Sequence, residues 1–457
     1  MSNRVLAPVA EIRKPVGVAY PPGPTSSPAV QLARWLLRPI PFLESCRRYG
    51  DAFSVIFPGF ETPMVMISSP EAIKALYTGR QNGLPPGRNL TLEPIMGARS
   101  LLLLEGAEHL AHRRLMLPPF HGERLRSYEA VIEEVIAAEI ETWPIGEPFP
   151  IHPRMQAVTL EVIMRAVFGL SDPARQARLR PLLARVLSET ASPTVQLMVL
   201  LARRFGRRGP MEGFDRVLRE IDAELYPEIE ARRADPDLEQ REDILSALVA
   251  ARFEDGGAMS DEELRDQLMT LLLAGHETTA TALAWTFDLL LRNPSKLDRL
   301  EAELRDGGEE YLRAVISESL RLRPVVPLAG RRLHSDLSAG GVELEAGTDV
   351  TPAIWLTHTR ADVYPEPFAF RPERFVGTSP DTYAWIPFGG GVRRCLGAAF
   401  AELEMRVVLR AIIEGCNLAP ARGRPERVGR RNVTLSPRAG TPVIVAAKRP
   451  AAAAAVA

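Results

Sequence analysis

One predicted helix limits the architecture of this 457-residue chain more than any other feature. It begins at Ser260, which forms the pattern of a capping box with Glu263, and it ends before Asn293-Pro294. A helix of about 32 residues extends about 48 Å. Because its middle is apolar on most faces, we expect it to cross one large core. This helix argues against the three separate domains that the chain length alone would suggest.

The segments around this helix predict more helices and a smaller β portion. Short apolar runs at 52–57 and 64–67 predict a hairpin, and Pro70 predicts the start of a helix. A last helix is expected from about 396 to 414. Runs at 433–435 and 443–446 predict a small C-terminal hairpin, so the fold class is mainly α with a smaller β subdomain.

The ends of the chain differ from its middle. We expect an irregular lead over residues 1–28, because it ends in the run Pro21-Pro22-Gly23-Pro24. One domain is expected over 29–447, followed by a disordered alanine-rich tail over 448–457. The basic run at 203–208 predicts a solvated loop between helices, with a membrane or partner contact as the alternative.

Composition and charge exclude several classes of protein. Lys+Arg is 56 against 57 for Asp+Glu, a net charge of −1, which excludes a generic nucleic-acid binder. The 46% of hydrophobic residues excludes a disordered chain. Three cysteines exclude a disulfide scaffold and fit a reducing compartment. No segment approaches the ~20 apolar residues of a transmembrane helix, and no signal core is visible, so we expect a cytoplasmic protein.

The residues from Phe388 to Gly397 suggest chemistry at Cys395. Zinc would need further Cys or His ligands nearby, and none is present; a buried structural cysteine is the simpler alternative. A core cysteine, however, does not require three preceding glycines, two adjacent arginines and a following helix. These features fit a thiolate ligand of a large flat cofactor, with backbone amides at the helix start directed at the sulfur.

The pattern Phe-x-x-Gly-x-x-x-Cys-x-Gly, formed by Phe388, Gly391, Cys395 and Gly397, resembles the haem-binding signature of the cytochrome P450 family. Three further motifs follow the family's order, and together they span residues 109–397. The resemblance implies a single haem domain of the P450 fold, crossed by the long central helix. It makes Cys395 the axial ligand of the iron of haem b, to which the thiolate donates electron density.

The resemblance also implies an activity. The protein would be a haem-thiolate monooxygenase that inserts one atom of dioxygen into a small apolar organic substrate, by hydroxylation or epoxidation. Electrons would come from NAD(P)H through a separate ferredoxin or flavodoxin and its reductase, because no flavin or iron–sulfur domain is visible. Arg114 and Arg394 are hypothetical docking charges for this partner. We expect a monomer that binds no nucleic acid.

The first of the three motifs lies at the middle of the long helix, at Ala274, Gly275, Glu277 and Thr278. Glycine weakens a helix by about 1 kcal/mol relative to alanine, and Thr278 can bond to a carbonyl one turn earlier. The resemblance gives Glu277 and Thr278 the catalytic role of a proton relay during oxygen activation, and it places Ala274 and Gly275 beside the cofactor. A helix kink with solvated polar residues is the alternative.

The second motif joins Glu318 and Arg321 on one helix face with Arg374 downstream. Such Glu/Arg pairs are common on solvated faces, so the motif has little weight alone. The resemblance makes the three residues a buried ion network that braces the loop of Cys395, which is a structural role.

The third motif concerns the haem propionates. His109 and Arg113 share one helix face at i, i+4 spacing. The resemblance implies that these residues bind the propionates together with Arg331 and Arg393. The adjacent Arg332 could take the place of Arg331, and His112 is expected at the surface.

Substrate contacts are expected from the segments 84–104, 192–215 and 325–329 and from Leu271 and Ala274, whose apolar content suggests a fatty acid, terpene, steroid or aromatic. Cys46 and Cys416 match no ligand position and are expected to be structural.

Two alternative functions remain open. One is a haem-thiolate isomerase, dehydratase or peroxide-driven oxygenase, against which the presence of both Glu277 and Thr278 argues. The other is a haem sensor without turnover, for which no signalling domain is visible.

Overall fold

The computed structural model describes residues 20–58, 62–79, 83–84, 93–170, 172–191, 212–431 and 433–449. It is mainly helical with a smaller β portion, which confirms the predicted fold class. Helices within the described ranges are α1 (Pro28–Leu37), α2 (Pro39–Cys46), α3 (Pro70–Thr78), α4 (Gly106–Met116), α5 (Glu123–Glu141), α6 (Ile151–Val162), α7 (Pro173–Ala191), α8 (Glu212–Arg233), α9 (Ile244–Ala250), α10 (Asp261–Leu291), α11 (Pro294–Arg305), α12 (Glu310–Leu322), α13 (Ile354–His358) and α14 (Ala398–Gly415).

The strands form several small sheets. They are β1 (Ala52–Val55), β2 (Met64–Ile67), β3 (Pro148–Pro150), β4 (Arg331–Arg332), β5 (Leu337–Ala339), β6 (Val342–Leu344), β7 (Asp349–Pro352), β8 (Cys416–Pro420), β9 (Val428–Arg431), β10 (Thr434–Pro437) and β11 (Pro442–Lys448). One sheet has the order β1-β2-β7-β4 and another β3-β11-β8, while β5 pairs with β6 and β9 with β10. The hairpin predicted from 52–57 and 64–67 is confirmed as the antiparallel pair of β1 and β2.

The predicted C-terminal hairpin is wrong. Strand β10 does not pair with β11; it pairs with β9, and β11 lies between β3 and β8. The turn after Pro437 includes Gly440 at a φ of 74° and leads β11 into a different sheet. Lys448, which we expected in the disordered tail, is the last residue of β11. Residues 450–457 of the expected tail and residues 1–19 of the expected lead lie outside the described ranges.

The central helix is confirmed, and α10 spans 31 residues. The capping box is present: the Glu263 backbone N–H donates to Ser260 Oγ at 3.1 Å, and the Ser260 N–H donates to Glu263 Oε2 at 2.8 Å. Of its 31 residues, 22 are buried, so the helix runs through the interior. It packs against α6, α8, α12, α14 and β10. Within the described part of the chain, no helix is both long and apolar enough to cross a membrane.

Two smaller apolar clusters fix the sheet beside the helical core. One joins α3 to the strands through Val65, Ile73, Leu76 and Val350, and it includes Tyr77 at the end of α3. The other packs α1 and α2 against β1. Burial of these side chains holds α3 in place, and Tyr77 of this helix packs against the loop of Cys395.

Candidate functional site

The loop before Cys395 is held in a conformation that requires glycine. Gly389 and Gly391 have φ values of 64° and 63°, which L side chains rarely adopt. A Cβ on Gly390 would lie 2.2 Å from Cδ2 of Tyr77, and one on Gly391 would lie 2.7 Å from the Tyr77 carbonyl oxygen. The Cys395 N–H donates to the Phe388 carbonyl at 2.9 Å and closes the loop. At least two of these glycines therefore permit close packing on α3.

Cys395 lies directly before α14 and is the one exposed cysteine of the three. Its side chain borders open space, but the protein atoms around it desolvate the thiol and raise its pKa, while a hydrogen bond from the Gly397 backbone and the positive charge of Arg113 oppose this rise. The backbone amide expected at the helix start is thus directed at the sulfur. Cys46 and Cys416 are buried, as their expected structural role requires.

His109 lies at the centre of a cluster of cations. It is buried, and its Nδ1 has no hydrogen-bond partner among the described residues. Burial lowers the pKa of His109 to about 3, and the charges of Arg393, Arg113 and Arg331 add to the effect. The structure therefore brings together the four residues that the resemblance assigns to the propionates.

Within the described part of the chain, Arg113 and Arg331 lack acidic partners. Neither Arg113 nor Arg331 forms an ion pair with a carboxylate there, and burial lowers the pKa of both. Arg331 Nη1 donates to the Gly330 carbonyl at 2.9 Å, and Arg393 Nη2 donates to the Leu104 carbonyl at 2.5 Å. Arg331 is buried and Arg113 is half-buried, and guanidiniums removed from water without a counter-charge are costly. This donor set therefore fits a cofactor that bears two carboxylates.

The adjacent arginine has a different environment. Arg332 donates from Nε and Nη2 to both oxygens of Asp349, at 2.8 and 2.9 Å. Because neighbouring residues of a strand point to opposite faces, Arg331 is left on the side of His109.

At the middle of α10, Thr278 Oγ1 donates to the Ala274 carbonyl at 2.7 Å, as predicted from its position. Ala274 is exposed although most of the helix is buried, so this face borders open space. A Cβ on Gly275 would make only an ordinary contact, 3.5 Å from Ile163 Cδ1. Thr278 and Ala274 therefore mark the accessible face of the helix.

Glu277 lies on another face of α10. Its carboxylate accepts from Gln156 Nε2 at 2.6 Å and from Thr281 Oγ1 at 3.3 Å, and it lies 3.3 Å from Arg431 Nε and 3.5 Å from His152 Nε2. Burial raises the pKa of Glu277, while Arg431 and Gln156 oppose the rise. The carboxylate is thus held between α6 and β9.

The acid and two arginines of the second motif form a buried network. Both oxygens of Glu318 accept from Arg321, at 2.6 and 2.7 Å, and Arg374 Nε lies 3.3 Å away. The backbone N–H of Arg371 also donates to Glu318, at 2.8 Å. Glu318 and Arg321 are fully buried, so this pair is not one of the solvated helix pairs.

Sequence reasoning missed His358, which connects this network to the cysteine loop. Its Nδ1 lies 3.1 Å from the Arg321 carbonyl, and its Nε2 accepts from the Ile386 N–H at 2.8 Å. Because Nε2 accepts, Nδ1 carries the proton and donates. Burial lowers the pKa of His358 to about 3, so the ring is neutral. His358 belongs to no recognisable motif, so the sequence alone did not indicate this role.

Sequence reasoning also missed two polar side chains of α10, Asp266 and Gln267, which bind the backbone of the segment that precedes α4. The backbone N–H of Arg99 donates to Asp266 Oδ2 at 2.9 Å, and that of Leu101 donates to Gln267 Oε1 at 3.0 Å. The sequence around Asp266 and Gln267 does not indicate this role, because the backbone groups that they bind lie more than 160 residues away in the chain.

Other expected positions have mixed outcomes. The expectation that His112 is a surface residue is wrong: it is buried, and its Nε2 lies 3.2 Å from Glu263 Oε1. Arg114 Nη1 donates to Glu254 at 2.5 Å.

Part of the expected substrate contact region is described. Leu271 is half-buried, and Val325 is buried and accepts a hydrogen bond from Leu435. Residues 85–92 and 192–211, which include the basic run at 203–208, lie outside the described ranges.

Comparison with known proteins identifies relatives along nearly the whole chain. The family model described as Cytochrome P450 matches residues 21–441. Cytochrome P450 135B1 of Mycobacterium tuberculosis is 43% identical over 442 residues, which cover 94% of this chain and 92% of that protein. Cytochrome P450 138 of Mycobacterium bovis is 36% identical over 402 residues, covering 87% and 90% of the two chains.

A solved structure agrees with the fold. The retinoic acid-bound cyanobacterial CYP120A1 superposes with a TM-score of 0.79 at 26% sequence identity, covering 94% of this chain and 99% of that chain. The resemblance drawn from the four motifs is confirmed.

Proposed function

The chain belongs to the cytochrome P450 family, and we propose that it hydroxylates or epoxidises an apolar organic molecule at the site around Cys395. As a member of this family it is a haem-thiolate monooxygenase that uses haem b, dioxygen and electrons that originate from NAD(P)H. The residue roles, the substrate class and the redox partner form the proposal.

Cys395 is proposed as the axial ligand of the haem iron. Bound haem b supplies the activation of dioxygen. The Gly397 amide stabilises the thiolate, and Phe388 and Gly391 hold the loop in position, as the Cys395–Phe388 hydrogen bond and the close packing on Tyr77 support.

The proposed propionate site consists of His109, Arg113, Arg331 and Arg393. The observation that carries the proposal is the buried imidazole of His109 with three guanidiniums close enough to lower its pKa, of which that of Arg331 is also buried. The cluster would orient the cofactor and offset its negative charge. We assign Arg331 rather than Arg332 because Asp349 already pairs with Arg332.

Thr278 and Glu277 are proposed to hold and move protons beside Ala274 and Gly275, which would line the cofactor. The Thr278 hydroxyl lies on the accessible face. The Glu277 carboxylate is held by Gln156 and Arg431, so we propose that it changes partners before it delivers a proton.

The substrate is proposed to be apolar, such as a fatty acid, terpene, steroid or aromatic. Leu271, Ala274 and the apolar segment 325–329 support this class, and retinoic acid in the related cyanobacterial structure is a molecule of similar character. Glu318, Arg321 and Arg374 would brace the fold without contacting the substrate.

A ferredoxin or flavodoxin with its reductase is proposed as the electron source. Arg394 beside Arg113 is a candidate docking charge, while Glu254 offsets part of the charge of Arg114. The cytoplasm stays our proposed location, because three free cysteines suit a reducing compartment, and the monomer stays our proposed state.

A carbon monoxide difference spectrum of the reduced holoprotein tests the proposal. We expect the absorption of a thiolate-ligated haem, lost in Cys395→Ser and retained in Cys416→Ser. An imidazole-type spectrum, or an unchanged spectrum in Cys395→Ser, would contradict it. Product formation with ferredoxin and NAD(P)H would then support the monooxygenase, whereas turnover with peroxide alone would favour the peroxide-driven alternative.

A further inference from the structure

A surface cavity of about 350 Å³ opens where α10 ends and the chain connects β8 to β9. Arg292, the residue that caps α10, lies on one wall. The remaining charged lining residues are Arg422, Arg424, Glu426, Arg427 and Arg438. None of them belongs to the site around Cys395.

The positive charge of this region is unusually concentrated. Residues 421–440 contain six arginines and one glutamate, a net charge of +5, in a chain whose net charge is −1. The remainder of the chain therefore carries −6. Guanidiniums crowded in one place repel each other and attract anions.

The acidic residue of the cavity does not neutralise these arginines. Both oxygens of Glu426 accept backbone hydrogen bonds, from Arg427 at 2.9 Å, Ala439 at 3.1 Å and Thr441 at 3.2 Å. The Glu426 carboxylate therefore joins the connection before β9 to the turn between β10 and β11. Arg292 is paired with Asp288 at 2.7 Å.

Four guanidiniums are left for a ligand. Arg422, Arg424, Arg427 and Arg438 are exposed, and within the described ranges their side chains form no hydrogen bond or ion pair. On an ordinary solvated face such arginines would be dispersed, but these four line the same concavity.

We propose that this cavity binds a small molecule that carries a chain of phosphate groups. The planar guanidinium fork matches phosphate oxygens in pairs, and several forks in one cavity match several phosphates. The volume of about 350 Å³ lies in the range of small-molecule sites, which are concave. An inorganic polyphosphate and a nucleoside triphosphate share the required chemistry.

Calorimetric titration of the holoprotein at physiological ionic strength tests the proposal, with sodium tripolyphosphate, ATP and adenosine as probes. We expect tripolyphosphate and ATP to bind and adenosine not to bind. The double variant Arg422→Gln/Arg427→Gln should weaken tripolyphosphate binding by about tenfold or more, because two charged contacts are lost. Tighter binding of ATP than of tripolyphosphate would identify the nucleotide as the source, and equal binding the phosphate chain alone.

The matched control is Arg216→Gln/Arg219→Gln on α8, which removes the same charge from exposed positions. It should leave binding unchanged. Equal weakening in both double variants, or no binding of either phosphate at millimolar concentration, overturns the proposal. Slower reduction by ferredoxin in the cavity variant without phosphate binding would also overturn it, in favour of a protein-docking surface. An intact carbon monoxide spectrum of each variant separates these outcomes from a failure of the haem site.

Discussion

Replacement of Glu318 by Gln is expected to lower the free energy of unfolding by about 3–5 kcal/mol. The substitution preserves the shape of the side chain and removes its charge. Arg321 would then be left fully buried without a counter-charge, because Glu318 is the carboxylate that it contacts among the described residues. A charge that has lost its buried partner carries most of its desolvation penalty uncompensated.

The contacts that Arg321 keeps and loses in this variant set the size of the loss in the free energy of unfolding. Arg321 keeps hydrogen bonds to the carbonyls of His358 and Pro367, each at 2.7 Å, which partly solvate the guanidinium. The new amide group, however, presents N–H donors to a site where Arg321 and the Arg371 N–H already donate. A charged hydrogen bond contributes about 1.5–3 kcal/mol and an unsatisfied buried donor costs about 1–3 kcal/mol, so the two losses sum to about 2.5–6 kcal/mol, which spans the expected range.

Urea unfolding of the holoprotein, followed by tryptophan fluorescence, measures the change. The control is Glu189→Gln, which breaks the i, i+4 pair with the half-exposed Arg185 and should cost less than about 0.5 kcal/mol. The carbon monoxide spectrum of Glu318→Gln at low urea reports whether the loop of Cys395 survives. A loss no larger than that of the control would refute the claim that the buried pair stabilises this fold.

Two further predictions concern buried histidines. His358→Phe removes both ring hydrogen bonds and leaves the Ile386 N–H and the Arg321 carbonyl unsatisfied. Urea unfolding should therefore show a loss of about 2–6 kcal/mol in the free energy of unfolding. A loss below about 1 kcal/mol would contradict this role of His358. Acid should also destabilise the protein, because burial lowers the pKa of His152 and His358 to about 3 and of His276 to about 4. These rings stay neutral when folded but are protonated when unfolded below about pH 6.5, so stability is lost as pH falls. Glu404 opposes one of these three groups, because burial raises its pKa to about 8 and the folded protein keeps its proton near pH 5. The net slope from the four groups is about 3 kcal/mol per pH unit near pH 5. The urea midpoint against pH measures this slope, and a flat profile between pH 6 and 5 would be inconsistent with neutral burial of the three rings.

Local signals explain why the central helix could be predicted from the sequence. A capping box needs two residues three apart, and a stop needs one proline, so both ends of α10 are specified by near neighbours. The partner of a strand is not specified locally. The apolar run of β11 would suit any neighbour, and its actual partners β3 and β8 are separated in the chain by more than 260 residues.

The same distinction applies to the cation cluster. His109 and Arg113 could be paired from helical spacing alone, since i and i+4 share a face. The choice between Arg331 and Arg332 could not be made that way. It depends on β4 lying antiparallel to β7, where Asp349 is directly opposite Arg332 and binds it. A cross-strand ion pair thus determines which arginine is left for the cluster.

Adjacent residues in the sequence need not act from one place, as Glu277 and Thr278 show. Successive side chains of a helix are about 100° apart, and here each has its own partner: Gln156 for the acid and the Ala274 carbonyl for the alcohol. Thr278 uses its proton in that bond, so its oxygen presents lone pairs to the accessible face. It can accept a hydrogen bond there at once, but it can donate one only after it leaves Ala274. A relay through both residues would therefore require Glu277 to leave Gln156 and Thr278 to rotate away from the Ala274 carbonyl.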